Sequence, residues 1–309
     1  MSSPRFKAEF IRPRNALTLF VFLLVRLASW LPRKLTLAIG KLLGSIFYWV
    51  NKKRRNIAAV NLSLCFPEKS AAEREQMARV HFQNYGMTTL DLGLIWWGSK
   101  KKLDRWVRFE GLDQVNKILA KDQRIIFMGP HAVSMDLGGI ALSSKVYLAS
   151  MMKRASDGLI NWLLLYGRNR FGGEMVMRDD GIRALIRKMR KGRSVYLIPD
   201  EDFGHQASFF VPFFGVQRST LSVVGRLAGI TKAAVVPIFT SLDTRTGIYT
   251  VHLGEALKDF PSGDEQQDTL TVSQALEQCI RIAPDQYMWT FRWFKTRPNG
   301  EPSPYLDKR

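Results

Sequence analysis

The chain has 309 residues, 46% of them hydrophobic, and its 46 Lys and Arg against 27 Asp and Glu give a formal charge of +19. Length and apolar content exclude a disordered tail or a coiled filament and suffice for one large domain, or two modest ones. The charge excludes no fold but selects anionic partners: nucleic acid, an acidic protein, an anionic membrane or a phosphorylated small molecule.

The first patterned stretch is RPRNALTLFVFLLVRLASWLP, apolar from Ala16 to Leu31 except for Thr18, Arg26 and Ser29. That is short for a spanning helix, which needs roughly 20 residues. Leu27-Ala28-Ser29-Trp30 is too bulky for a signal-peptide cleavage site. Lys7, Arg12 and Arg14 precede the stretch, and Arg33 and Lys34 follow it. A second apolar run, Leu35 to Val50, ends in Phe47-Tyr48-Trp49 and leads into Lys52-Lys53-Arg54-Arg55. Aromatics beside lysines and arginines suit the interface of an anionic bilayer. Residues 1–52 therefore read as a membrane anchor and interfacial helix, and residues 53–309 as the body. A transmembrane helix is one form of that anchor, and a helix lying on the surface is another. A helical hairpin buried in a soluble core is the alternative.

Ala71 to Gln83 is rich in helix formers, with Pro67 before it and Ser70 as a cap. Leu90 to Trp97 is apolar and ends at Gly98, and its Trp96-Trp97 pair suits either a core or a lipid-facing patch. From Val107 the pattern alternates. Strands are expected at Val107–Leu112, Arg124–Pro130, Lys145–Ser150, Ser194–Pro199, Ala233–Thr240 and Ile248–Leu253. Helices are expected at Leu112–Ala120, Leu159–Tyr166, Asp180–Lys191 and Val272–Arg281. Asp259 to Asp268 reads as a surface loop and the tail after Pro298 as extended. Apolar strands alternating with helices predict an α/β fold: a central, largely buried mixed sheet flanked by helices.

Cys65 and Cys279 are far apart and in apolar surroundings, which fits two free thiols, one bridge being the alternative. No CxxC or Cys/His cluster suggests a metal site, and no cofactor is expected. Of His81, His131, His205 and His252, only His131 follows a strand and a Gly-Pro break. It opens H-A-V-S-M-D, so Asp136 stands five positions on. With His131 in the turn and Asp136 in the first helical turn, the acid would hold one imidazole nitrogen while the other takes a proton from a hydroxyl. Ser134 sits in no nucleophile elbow, so that hydroxyl would belong to a substrate. A histidine capping a surface helix is the competing reading. Asp200, Glu201 and Asp202 precede His205; three acids in a row could bind a divalent ion, but no ligand spacing supports it, and they read as loop or capping residues with one possible active-site member.

These blocks together resemble the bacterial lipid A biosynthesis late acyltransferases, lysophospholipid acyltransferase-like enzymes. The resemblance covers nearly the whole chain. The family's histidine, four residues and an acid are met by His131 and Asp136. Arg55-Asn56-Ile57, Asn61-Leu62 and Phe66-Pro67-Glu68 match an early block. Gly167 to Gly173 and Arg178 to Ile182 look most like the branch that adds the last, myristoyl-type chain. Pro199-Asp200, Phe210 to Gly215, Pro284 to Trp289 and Phe294 to Pro298 match later blocks. Trp293, where many members carry a basic residue, and His205 depart from the pattern.

The resemblance implies an enzyme at the bacterial inner membrane, facing the cytoplasm. It would take an acyl chain from acyl carrier protein and place it on a hydroxyl of an acylated, phosphorylated lipid A precursor, giving an acyloxyacyl group. His131 would be the general base oriented by Asp136, with direct attack by the acceptor. Arg168 and Arg170 would stabilise an oxyanion or hold acceptor phosphate, with a solvated charge pair as the plainer alternative, and Asp200 would support the substrate site. The basic run from Arg183 to Arg193 would be a solvated helix face or a carrier-docking patch. A glycerolipid or other glycolipid acyltransferase is the nearest rival. A membrane-associated nucleic-acid-binding protein is a distant one, since no recognition motif is present, and nucleic acid is not an expected partner.

Overall fold

The computed structural model describes residues 6–206 and 208–305. It begins with four helices: α1 (Ala16–Ala28), α2 (Arg33–Val50), α3 (Lys52–Cys65) and α4 (Ala71–Trp97). Ser70 and Glu73 close a reciprocal capping box at the start of α4, satisfying two donors that the first turn would leave unpaired. The body then alternates: α5 (Lys100–Trp106), β1 (Val107–Glu110), α6 (Leu112–Leu119), β2 (Ile125–Met128), α7 (Met135–Ser143), β3 (Leu148–Met152), α8 (Gly158–Arg168), β4 (Glu174–Met177), α9 (Gly181–Arg190) and β5 (Ser194–Leu197). A hairpin, β6 (Ser208–Phe213) and β7 (Val216–Leu221), leads to α10 (Val223–Thr231), β8 (Ala234–Leu242), β9 (Tyr249–Leu253) and α11 (Glu265–Ile282).

Seven strands form one sheet in the order β1-β9-β8-β2-β5-β3-β4. Every neighbouring pair is parallel except β8 and β9, so the sheet is mixed, as its apolar strands predicted. Central β2 and β5 are buried along their whole length because helices cover both faces. The hairpin β6–β7 stands apart and packs against α11, where Ser273 donates to the Pro212 carbonyl at 2.7 Å. The hairpin and β4 do not stand out in the sequence, being short and broken by proline or flanked by glycine. Helix α11 starts at Glu265, capped by Asp264, so the second half of the expected loop is helical and Asp268 is buried. The tail after Pro298 ends with Tyr305 buried, its hydroxyl donating to Asn61 at 2.5 Å, and residues 306–309 lie outside the described residues. Both cysteines are free and buried.

The amino-terminal helices correct one expectation. Helix α1 has 13 residues, about 20 Å at the usual rise, against a hydrocarbon core of about 30 Å. Among the described residues no helix is long and apolar enough to cross a membrane, so a transmembrane helix is not supported. Helix α2 instead lies against α4 at backbone distance: a Cβ on Gly44 would stand 2.1 Å from the Phe82 carbonyl oxygen. Arg33 at its start is ion-paired with buried Asp91 and donates to the Gly247 carbonyl at 3.1 and 2.9 Å, while Tyr249 on β9 also bonds Asp91. Val25, Ala28 and Leu37 share one core with Leu94, Trp96 and sheet residues, which assigns Trp96 to the core. The opposite face stays bare, with Leu17 75%, Trp30 68% and Trp49 60% exposed.

Candidate active site

Adjacent parallel strands deliver their carboxyl ends to the same edge of the sheet. Strand β2 ends at Met128 and breaks at Gly129-Pro130; β5 ends at Leu197 and breaks at Pro199. The next residues are His131 and Asp200, and they meet. Asp200 Oδ1 lies 2.5 Å from His131 Nδ1, and Oδ2 accepts the His131 backbone N–H at 2.9 Å and the Tyr287 hydroxyl at 3.0 Å. Asp200 is 1% exposed. Burial would push this carboxyl up and the imidazole down. Their mutual attraction prevails, so Asp200 sits below the usual carboxylate range and His131 above the usual imidazole range. An ionised Asp200 can only accept, so Nδ1 carries the proton and Nε2 keeps its lone pair.

This replaces Asp136 as the partner of His131. Asp136 is in the first turn of α7, as expected, but both its oxygens face a guanidinium: Arg168 Nε to Oδ1 at 2.8 Å and Nη2 to Oδ2 at 3.0 Å. The fork of arginine matches a carboxylate edge, and the end of α8 brings it there. Asp136 acts on His131 only through space, favouring its charged form. The other arginine expectation also changes. Arg170 spends its guanidinium on the carbonyls of Ile95 and Gly98, both at 2.6 Å, closing the end of α4, and it does not line the cavity below.

His131, Asp136 and Arg168 line a cavity of about 570 Å³ in front of the sheet edge. Its wall is largely apolar, with Met135, Ile140, Leu148, Met152, Leu164, Met175 and Val223, and Lys153 and Arg178 add cations, the latter paired with Glu201 at 3.2 Å. That combination suits a hydrocarbon chain beside an anionic group. On its far side the His131 ring packs on Phe291 and Trp293, at centroid distances of 5.4 and 5.7 Å. Trp293, which departs from the family pattern, is 1% exposed and stacks on Tyr287. The Met288 N–H donates to the His131 carbonyl at 2.8 Å and the Val133 N–H to that of Gln286 at 2.9 Å, so the segment after α11 clamps the histidine turn.

The remaining polar residues of interest sort by geometry. Ser134 is 2% exposed and donates to the Thr240 carbonyl, away from the cavity. Asp202 accepts from the Thr296 N–H and hydroxyl, both at 2.8 Å, and fastens the carboxyl end. Among the described residues no three acids, histidines or cysteines are arranged to hold a metal ion. His205 is exposed beside Phe210. His81 is buried, and burial pushes it down to about 4. Ser241, His252 and Glu110 form a hydrogen-bonded chain of 2.8 and 2.7 Å, but none of them lines the cavity and Glu110 is 68% exposed.

Fold and site together describe an α/β protein with a histidine–aspartate pair at the mouth of an apolar, cation-lined cavity. Its sequence carries the identification further. The profile of the bacterial lipid A biosynthesis acyltransferases matches residues 3–296, and the chain belongs to that family. It is 33% identical over 301 residues to a lipid A biosynthesis acyltransferase of Haemophilus influenzae, covering 96% of this chain and 93% of that one. It is 31% identical to the lipid A biosynthesis palmitoleoyltransferase of Escherichia coli, over 98% of both chains. To the myristoyltransferase of that organism it is 30% identical, over 84% of this chain and 80% of the other. Such even identities do not separate the branches.

Proposed function

We propose that this protein transfers a fatty acyl chain from acyl carrier protein to a hydroxyl on an acylated, phosphorylated lipid A precursor. The observation that carries this reading is the His131–Asp200 pair opening onto an apolar cavity that also holds Arg168, Lys153 and Arg178. His131 Nε2 takes the proton of the acceptor hydroxyl as its oxygen attacks the thioester carbonyl. The tetrahedral oxyanion collapses, the C–S bond breaks, and the proton passes from His131 to the departing carrier thiolate. Arg168 is fixed through Nε and Nη2 by Asp136, which leaves Nη1, now against Met152 Sδ at 3.8 Å, to donate to the oxyanion. Asp136 is thus a positioning residue for Arg168, and Asp200 for His131. Lys153 and Arg178 hold acceptor phosphate.

The bare face of α1 and α2, with Arg12, Arg14, Lys34 and Lys52 around it, rests on the cytoplasmic side of an anionic inner membrane without crossing it. Exposed Arg183, Arg187, Arg190 and Lys191 on and beside α9 form the docking surface for the acidic carrier.

The test is transfer of a labelled acyl group from carrier protein to a lipid A precursor with a free chain hydroxyl, by enzyme purified in detergent. Transfer is expected to that acceptor and to be slow to lysophosphatidic acid; preference for the latter would move the protein to the glycerolipid acyltransferases. His131→Ala should lower kcat by about 100-fold to 10,000-fold. Equal transfer by wild type and His131→Ala overturns the mechanism, and a trapped acyl-enzyme overturns direct attack.

A further inference from the structure

Two arginines of the cavity are held in different ways. Arg168 has both oxygens of Asp136 in a two-bond fork. Arg178 has one contact, Nη1 to Glu201 Oε2 at 3.2 Å, and the two side chains are 38% and 48% exposed. A single long bond between half-exposed groups is weak and readily exchanged for a better anion. Arg178 follows the end of β4 and Glu201 lies beyond the end of β5, while β3 runs between these two strands. The pair therefore reaches across the carboxyl end of β3, where Lys153 follows Met152. Arg178, Glu201 and Lys153 all line the cavity, as does Phe203, which is 41% exposed and has its ring 5.1 Å from the Arg178 Cζ. Among the described residues no carboxylate pairs with Lys153, and none but Glu201 with Arg178.

We propose that Glu201 is a specificity-determining residue for the acceptor: its carboxylate occupies on Arg178 the place of a phosphate monoester, so an entering acceptor gains Arg178 only by displacing it. This rests on the reading above that Lys153 and Arg178 hold acceptor phosphate. A phosphate monoester carries about −1.5 to −2 charges at neutral pH and three acceptor oxygens, against a single charge and two oxygens for the carboxylate. It can take the guanidinium fork of Arg178 and the Lys153 ammonium together, since both cations stand at the same sheet edge. A neutral sugar cannot make the exchange, and a second carboxylate gains nothing by it. Asp200 is pinned to the His131 backbone and ring and to the Tyr287 hydroxyl, so the backbone beside Glu201 is held. The exchange then needs only the Glu201 side chain to swing toward solvent, with the His131–Asp200 pair left in place.

Glu201→Gln in the full-length enzyme, purified in detergent, tests this. Its KM for the phosphorylated lipid A precursor should fall by about twofold to fivefold, the range that an exposed ion pair allows, and the change should lie in KM rather than kcat. The same precursor stripped of its phosphates should gain nothing, and KM for acyl carrier protein should not move. Arg178→Gln should raise KM for the phosphorylated acceptor, and adding Glu201→Gln to it should bring no gain, because the carboxylate competes only at Arg178. The unfolding midpoint of Glu201→Gln should stay near wild type, since both partners are half exposed. An unchanged or higher KM, an equal gain for the dephosphorylated acceptor, a gain for the carrier instead, or a gain that persists without Arg178 overturns the proposal. If neither acceptor is acylated, the functional reading fails by itself, and calorimetric titration with inorganic phosphate decides the proposal: tighter binding to Glu201→Gln than to wild type supports the exchange, and equal affinity overturns it.

Discussion

The outer helical layer and the sheet-end site use burial in opposite senses. On α1 and α2, side chains that would favour a core, such as Leu17, Leu42 and Trp49, stay exposed, while the inner faces of the same helices pack tightly on α4. At the sheet end, groups that would favour water, Asp200 and Arg218, are buried. Each arrangement places groups in the surroundings they do not favour, and under the proposed function each has a partner: a lipid surface outside, an acceptor hydroxyl and an acyl donor inside. The lesson is that a residue in the wrong solvent is a better guide to function than a residue of a particular type.

The sharpest way to break the comparison is at the two acids. Asp200→Asn should lower kcat to within about tenfold of His131→Ala, because an amide can offer Nδ1 a donor and reverse the tautomer. Asp136→Asn should cost less, through a loosened Arg168. If Asp136→Asn is the more damaging in steady-state kinetics, the order of the two carboxylates is reversed.

A smaller effect is expected on the outside. Replacing Leu17, Phe20, Leu24 and Trp30 by serine should lower partition onto vesicles of anionic lipid by at least about tenfold, since surface binding scales with apolar area. Unfolding temperature should hardly change, as these side chains are exposed. A large drop in that temperature would mean that the face is packed against another part of the protein in solution.

Neutralising Arg187, Arg190 and Lys191 should raise KM for acyl carrier protein by a few fold and flatten its salt dependence, leaving kcat alone. An unchanged KM at low salt removes α9 from the docking surface. Lys188 is a poorer choice, being engaged with Glu174.

The smallest effect is on stability against pH. His131 is raised, so its contribution to folding is complete below its ordinary value of about 6.5 and is lost as pH rises through the higher folded value. Asp200 is lowered, so its contribution is complete above about 3.9 and is lost as pH falls through the lower folded value. The pair therefore stabilises most between about pH 4 and 6.5, whereas the proposed general-base role needs neutral His131 above that window. The gap between the unfolding midpoints of wild type and Asp200→Asn should narrow as pH rises through the folded His131 value; a constant gap would detach the pair from stability.

What the sequence determined by itself was local and periodic. Apolar runs such as Ile125–Met128 and Ser194–Leu197 marked buried strands, because a strand covered on both faces needs apolar side chains throughout. The Gly-Pro break after β2 singled out His131, and the apolar, basic amino terminus pointed to a lipid surface, though its spanning form is not supported. The tertiary structure decided which acid meets that histidine. Asp136 was close in sequence, but Asp200, 69 positions away, is the partner, because β2 and β5 lie side by side and parallel. The same signal of a strand, a proline and a polar residue stood at Pro199-Asp200, but its meaning depends on strand order, which no local pattern encodes. Arg168, Arg170 and Arg218 look alike in sequence, and the tertiary fold alone gave them a carboxylate, two carbonyls and an aromatic ring as partners. Side-chain chemistry fixes what a group can do, and long-range packing fixes the group it does it with.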